Sequence, residues 1–152
     1  MILKQWVERW GVPAPAVYEL MQMMGMNPSS PGSPGTIKSE IGIQQQVRLE
    51  ASKCGIRLWR NNTGVAINPV GQPVRYGLGN DSRQMNSVIK SSDLIGITII
   101  GGMGVFTAYE VKKPGWKFTG TPRETAQLKY IQLVISMGGI AKFITSPEEI
   151  IK

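Results

Sequence analysis

Apolar positions fall into blocks whose spacing alternates between helical and extended periods. Ile43, Val47, Ala51 and Cys54 repeat at helical spacing, which predicts a helix from Ile37 to a stop at Gly55. Ile56 to Asn61 reads as a strand. Thr63 to Ser92 is rich in Gly, Pro and Asn and reads as a loop-rich excursion with brief extended pieces near Val65 to Ile67 and Val74 to Tyr76. Leu94 to Ile100 and Val105 to Lys113 are two apolar strands joined through Gly101-Gly102-Met103-Gly104, a hairpin signal. Thr125 to Met137 predicts a second helix with Leu128, Ile131, Val134 and Ile135 on one side, stopped by Gly138-Gly139, and Ile140 to Thr145 predicts a further strand. Ser146 and Glu149 have capping-box spacing around Pro147, so Glu148 and Glu149 read as helix-start residues.

The order helix, strand, hairpin, helix, strand predicts an α/β fold with a mixed central sheet flanked by helices. It occupies residues 37–152. Residues 1–26 read as a helical arm broken at Gly11-Val12-Pro13, and 27–36 as a Pro/Ser/Gly linker. The arm carries Leu20, Met21, Met23, Met24 and Met26, which would pack on its own domain, on a second copy or on a partner protein, since Met adapts to irregular surfaces.

Charge and composition narrow the chemistry. Seventeen Lys+Arg against ten Asp+Glu give a net charge of +7, which suits either a polyanionic partner such as nucleic acid or a solvated basic surface. Arg57, Arg60, Arg75, Arg83 and Lys90 share a stretch in which Asp81 is the one acid before Asp93. The lone Cys54 excludes an internal disulfide and a CxxC zinc site, and fits a reducing, cytosolic setting. The opening MILKQWVERW is neither a secretory signal nor a membrane span, so a soluble protein is expected. With no histidine in the chain, the usual general base and transition-metal ligand are missing, leaving carboxylates, lysine and water. Glu40 precedes Ile43 and Val47 at helical spacing, which places it on the buried stripe, either to meet the helix dipole or to position a metal or water.

The hairpin offers a cation site. If Ile100 faces Val105, then Asp93 faces Lys112 and Ile95 faces Glu110, all on one face of the sheet. Asp93 and Glu110 are then diagonal neighbours, about 7 to 8 Å apart at the backbone. Two carboxylates with waters suit Mg²⁺, which lowers the pKa of a bound water and neutralises charge on a phosphate. Lys112 emerges on the same side, where it would orient the attacking water. The competing reading is a cross-strand Asp93–Lys112 ion pair on a polar surface.

Ser92-Asp93 followed by Glu110-Val111-Lys112 resembles the PD-(D/E)XK nuclease superfamily, with serine where its name has proline. Glu40 with Gln44, Trp59-Arg60-Asn61-Asn62-Thr63-Gly64, Ser91-Ser92-Asp93-Leu94-Ile95-Gly96, Glu110-Val111-Lys112 and Gln127 before Gly138-Gly139 together resemble its VRR-NUC family, over about residues 38–145. The resemblance implies a PD-(D/E)XK nuclease-like core of αβββαβ order. It implies that Asp93, Glu110 and the Val111 carbonyl hold Mg²⁺ or Mn²⁺, that Lys112 assists the water, and that Glu40 and Gln127 complete the site, with Glu50 and Glu124 in reserve for Glu40.

Stand-alone members of that family are similar to Holliday-junction resolvases that act as dimers on branched DNA, in repair or recombination, whereas fused versions cut flaps. The expected activity is therefore a metal-dependent DNA endonuclease working as a homodimer in the cytoplasm, a host's cytoplasm if the chain is phage-encoded. Arg60, Asn61, Arg75, Lys113 and Lys117 are the expected DNA-backbone contacts, and Trp116 is placed to stack on an exposed base. Flap or non-specific cleavage, a restriction-type enzyme, and a nucleic-acid-binding protein without chemistry are the alternatives.

Overall fold

The computed structural model describes Val7, Arg9 to Pro13, Ala16, Val17, Glu19, Leu20 and residues 39–150. The chain divides into two compact units, Met1–Gly35 and Thr36–Lys152. In the first, Val7, Arg9 and Trp10 are helical, as are Ala16, Val17, Glu19 and Leu20, with Gly11 at φ 57° between them. The methionines from Met21 to Met26 and the linker 27–36 lie outside the described residues. Among the described residues no helix is long and apolar enough to cross a membrane.

The second unit begins with α1 (Glu40–Lys53), whose N-cap Ser39 accepts a hydrogen bond at Oγ from the Gly42 amide, 3.1 Å. This cap starts the helix at Glu40 rather than at Ile37. Then come β1 (Ile56–Arg60), β2 (Gly64–Ile67), β3 (Pro73–Tyr76), α2 (Arg83–Val88), β4 (Leu94–Ile100), β5 (Met103–Val111), α3 (Pro122–Ser136), β6 (Ile140–Ile144) and a 3₁₀ turn at Pro147–Glu149. The central sheet runs β1-β4-β5-β6; its first two pairings are antiparallel and β5–β6 is parallel, so the sheet is mixed. Among the described residues of this unit, the two long helices and the sheet follow the order α, β, β, β, α, β. β2 and β3 form a separate antiparallel ribbon, which with α2 fills the predicted loop region. The sequence reading missed α2 because it is short and buries no residue, so it shows no apolar period.

The two faces of the sheet carry separate cores. Ile43, Val47 and Ala51 of α1 pack with Leu58, Leu94, Tyr109, Val111 and Ile144. On the other face, Tyr130, Ile131 and Val134 of α3 pack with Ala108 and Ala141, joined by Ile95. The buried stripe of α3 also includes Ala126 and Gln127, whereas Ile135, expected inside, is 53 % exposed. β4 is not covered on both faces throughout, since Ile97, Ile99 and Ile100 are exposed toward the hairpin tip.

The hairpin register differs from the expected one. Ile100 pairs with Met103 across the two-residue turn Gly101-Gly102, both at positive φ (57° and 81°), as a primed turn requires. β5 therefore starts and ends earlier than read, and Leu94 pairs with Tyr109. The shift is by an even number of residues, which preserves which side chains share a face. The ladder ends at Leu94–Tyr109, and the same register continued by one residue sets Asp93 across from Glu110 rather than diagonal to it.

α3 opens with a capping box: the Glu124 amide donates to Thr121 Oγ1 (3.2 Å) and the Thr121 amide donates to Glu124 Oε2 (3.1 Å). At the chain's end Ser146 makes no side-chain cap. Glu149 reaches back instead, accepting at Oε1 from the Thr145 amide (2.8 Å) and hydroxyl (2.7 Å).

Candidate metal and nucleic-acid site

Because Ile95 and Ala108 face α3, the next pair outward, Asp93 and Glu110, points to the same side of the sheet. α3 meets them with Gln127, which is 1 % exposed. Gln127 Nε2 donates to Glu110 Oε1 in a short hydrogen bond, and its Oε1 accepts from Lys112 Nζ at 2.9 Å. Lys112 Nζ also donates to Glu110 Oε1 at 3.1 Å. Its ammonium lies over the rings of Trp116 (5.6 Å) and Phe143 (5.7 Å), so two polar and two aromatic partners fix one cation. Asp93 Oδ2 accepts from the Val111 amide, 3.0 Å. A strand residue's N–H and C=O point to the same side, so the Val111 carbonyl is directed to that edge as well.

Burial and mutual repulsion set the charge state of the two acids. Desolvation, then the charge of Asp93, raises the Glu110 carboxyl from 4.5 to about 7, against the pull of Lys112. Asp93 is also raised, by desolvation first; the Val111 amide and Lys112 oppose the rise and the charge of Glu40 adds to it. Glu110 Oε2 is buried without a hydrogen-bond partner. A buried carboxylate oxygen without a donor, close to the charge of a second carboxylate, calls for a proton or a cation.

Among the described residues no group of three or more acidic or cysteine side chains is arranged to hold a metal. The donors an ion could meet here are the Asp93 and Glu110 carboxylates, with the Val111 carbonyl that the resemblance adds. This fits Mg²⁺, which commonly takes one or two carboxylates and keeps several waters.

Glu40 departs from its expected place. It is exposed at the start of α1, the helix that covers the opposite face, because Ile43 and Val47 turn the stripe inward only after the first residue. Its charge still reaches Asp93 from the rim, and Gln44, one turn further on, lines the cleft itself.

The cleft has a volume of about 500 Å³ and is walled by Asp93, Glu110 and Gln127 together with Arg60, Lys90 and Arg123. Of the expected DNA contacts, Arg60 alone is a cation on this wall. Asn61 is there too, but its amide is committed: Nδ2 donates to Ser91 Oγ (2.8 Å) and the Ser92 carbonyl (2.9 Å), and Oδ1 accepts from the Leu78 amide (3.1 Å). It clamps the segment that carries Asp93 and has no donor left for a phosphate. Arg75 donates Nη1 to Asn80 Oδ1 (3.1 Å) and lines a separate hollow with Asp81 and Arg83. Lys113 and Lys117 are exposed and do not line the cleft.

Trp116 is half-buried and packs on Phe143 with ring centroids 4.7 Å apart, while its Nε1 donates to Glu124 Oε1 at 2.9 Å. Its ring supports Lys112 rather than standing free to stack on a base. Glu124 is used up in the same way: partial desolvation opposes it, but hydrogen bonds from Thr121, Thr119 and Trp116 hold its carboxyl down to about 2. Glu50, the other reserve, pairs with Lys53 at 3.3 Å on the surface of α1.

Sequence reasoning missed Arg123. One signal was present: it stands beside Pro122 at the start of a helix, where the dipole disfavours a cation, so its placement has a cause outside helix stability. No family model, curated protein or solved structure matches this chain.

Proposed function

We propose that the chain is a metal-dependent DNA endonuclease that hydrolyses phosphodiester bonds, selective for branched DNA in the manner of a four-way-junction resolvase. The observation that carries the reading is the facing pair Asp93 and Glu110, with Glu110 Oε2 unsatisfied and Lys112 fixed beside it. The VRR-NUC-like pattern in the sequence supports the same assignment and supplies the branched substrate and the homodimer.

Asp93, Glu110 and the Val111 carbonyl are the residues to hold Mg²⁺ or Mn²⁺. Bound there, the ion supplies stabilisation of charge on the phosphate and a water of lowered pKa. Lys112 directs its ammonium at the attacking water or the developing charge, and Gln127 keeps that ammonium in place. Arg60, Lys90 and Arg123 hold the strand. In the reaction the water oxygen bonds to phosphorus, one P–O ester bond breaks, and an alcohol and a phosphomonoester leave.

The Lys112–Glu110 ion pair favours a second reading, a nucleic-acid-binding protein without chemistry, since an ammonium already offsets one of the two acids. Labelled four-way junction, flap, single-stranded and linear duplex DNA, each with Mg²⁺, Mn²⁺ or EDTA, separate the two. Metal-dependent junction cutting that Asp93→Ala and Glu110→Ala abolish while binding survives supports the endonuclease. A preference for flap or linear DNA keeps the chemistry and changes the substrate. Binding with no cutting in either metal favours the second reading.

A further inference from the structure

Lys90 and Arg123 stand where two hollows meet. Both line the cleft with Asp93 and Glu110, and both line a neighbouring hollow of about 310 Å³ with Asn86, Pro122 and Ala126. The backbone of each is anchored: Arg123 in the first turn of α3, and Lys90 through its amide, which donates to the Ala126 carbonyl at 3.0 Å. Among the described residues the ion pairs are Lys53–Glu50 and Lys112–Glu110, so neither cation is in a contact ion pair; the charges of Asp93 and Glu110 act on them across the cleft without touching. Desolvation, then the charge of Arg123, lowers the Lys90 pKa; the charges of Glu110 and Asp93 oppose the drop in part, and a bound anion would oppose it further.

We propose that Lys90 and Arg123 form a phosphate subsite for the phosphodiester group next to the one held at the carboxylate pair, with the strand running on into the hollow between α2 and α3. The chemistry of the pair matches that ligand: a guanidinium forks onto two phosphate oxygens, and a lysine supplies a compact second charge. A free phosphate would need one hollow. Two hollows joined at the cations suit a polymer that passes through. The inference rests on reading the cleft as a nucleic-acid site and assigns the direction in which the strand leaves it.

The test is binding rather than cleavage. A fluorescein-labelled DNA duplex and an RNA duplex of the same sequence are titrated in EDTA between 50 and 200 mM salt, about the range over which phosphate contacts weaken strongly. Wild type is compared with Lys90→Ala, Arg123→Ala, Arg123→Lys and the exposed control Lys129→Ala, each checked for folding by its melting temperature. Each alanine variant in the cleft should reduce the slope of log K against log salt by about 0.9 on a duplex. Arg123→Lys should restore most of that slope, and Lys129→Ala should leave it unchanged. Wild-type slopes in both cleft variants, or no binding of either duplex by wild type, overturn the subsite. If wild type cuts DNA while the slopes stay fixed, the subsite fails alone; if nothing is cut but the slopes fall, the subsite stands and the hydrolysis reading fails.

Discussion

Asp93 stands opposite Glu110, one step beyond the Leu94–Tyr109 pair, on the face of the sheet that α3 covers with Gln127. Opposition across antiparallel strands forces both carboxylates to one side. Their repulsion is the feature from which the first two predictions follow.

Removing either charge should lower metal-dependent cleavage by at least about 100-fold, the scale of losing one group aimed at the reacting centre. Asp93→Asn and Glu110→Gln should at the same time bind DNA in EDTA as well as or better than wild type, because an acid has left the cleft. Fluorescence anisotropy beside a gel cleavage assay reads both, and retained cleavage in either variant contradicts the metal assignment.

Glu110 also makes stability depend on pH. Its folded-state pKa of about 7 lies above the ordinary 4.5, so between those values the folded protein keeps a proton that the unfolded chain has released. The metal-free protein should therefore lose stability as pH rises from about 4.5 through about 7, by a few kcal/mol at most for this group. Urea denaturation in EDTA at about pH 5, near the lower end of that window, and at about pH 8, above its upper end, should show most of the loss in wild type and a flatter profile in Glu110→Gln. Mg²⁺ should raise the melting temperature more at the higher pH, where its ligands are already ionised.

Asn61 gives a third prediction. Its amide joins the end of β1 to Ser91, Ser92 and Leu78, so Asn61→Ala leaves several polar groups without partners beside Asp93. A destabilisation of about 1 to 3 kcal/mol is expected, measured by chemical denaturation. DNA affinity in EDTA should fall little, which would not hold if Asn61 contacted phosphate.

Gly96 marks the tightest backbone approach in the sheet. A Cβ at this position would lie 1.8 Å from the Arg57 carbonyl oxygen across the β1–β4 ladder. Gly96→Ala should cost about 1 to 3 kcal/mol or more by forcing the strands apart. A melting temperature equal to wild type would contradict that packing.

The sequence made the hairpin and the two long helices legible because their apolar periods are unambiguous. It placed Asp93, Glu110 and Lys112 on one face because that depends only on parity, which survived a register error arising from the length of the turn. Side-chain commitments were not legible. Asn61, Trp116 and Glu124 look available for ligands as letters, yet Asn61 and Trp116 are engaged with chain far along the sequence, and Glu124 is taken up by the cap of its own helix and by Trp116. The burial of Glu40 was misread for a local reason: helical spacing identifies a stripe, but Glu40 is the first residue of its helix and is exposed, although its charge still reaches Asp93. Arg123 and Lys90 meet only because α3 ties back to the end of the α2 segment, a contact with no local signature.

The short turn at Gly101-Gly102 has a kinetic consequence. Contacts between β4 and β5 are close in sequence, so the pair can zip outward from the turn early in folding, as local hairpins do. Asp93 and Glu110 are then joined at the last step of the zip, while Gln127 arrives only when α3 docks from further along the chain. The order of assembly thus couples docking of a helix to uptake of a proton or a cation, and folding rates measured across pH and Mg²⁺ concentration would carry that coupling as a signature in time.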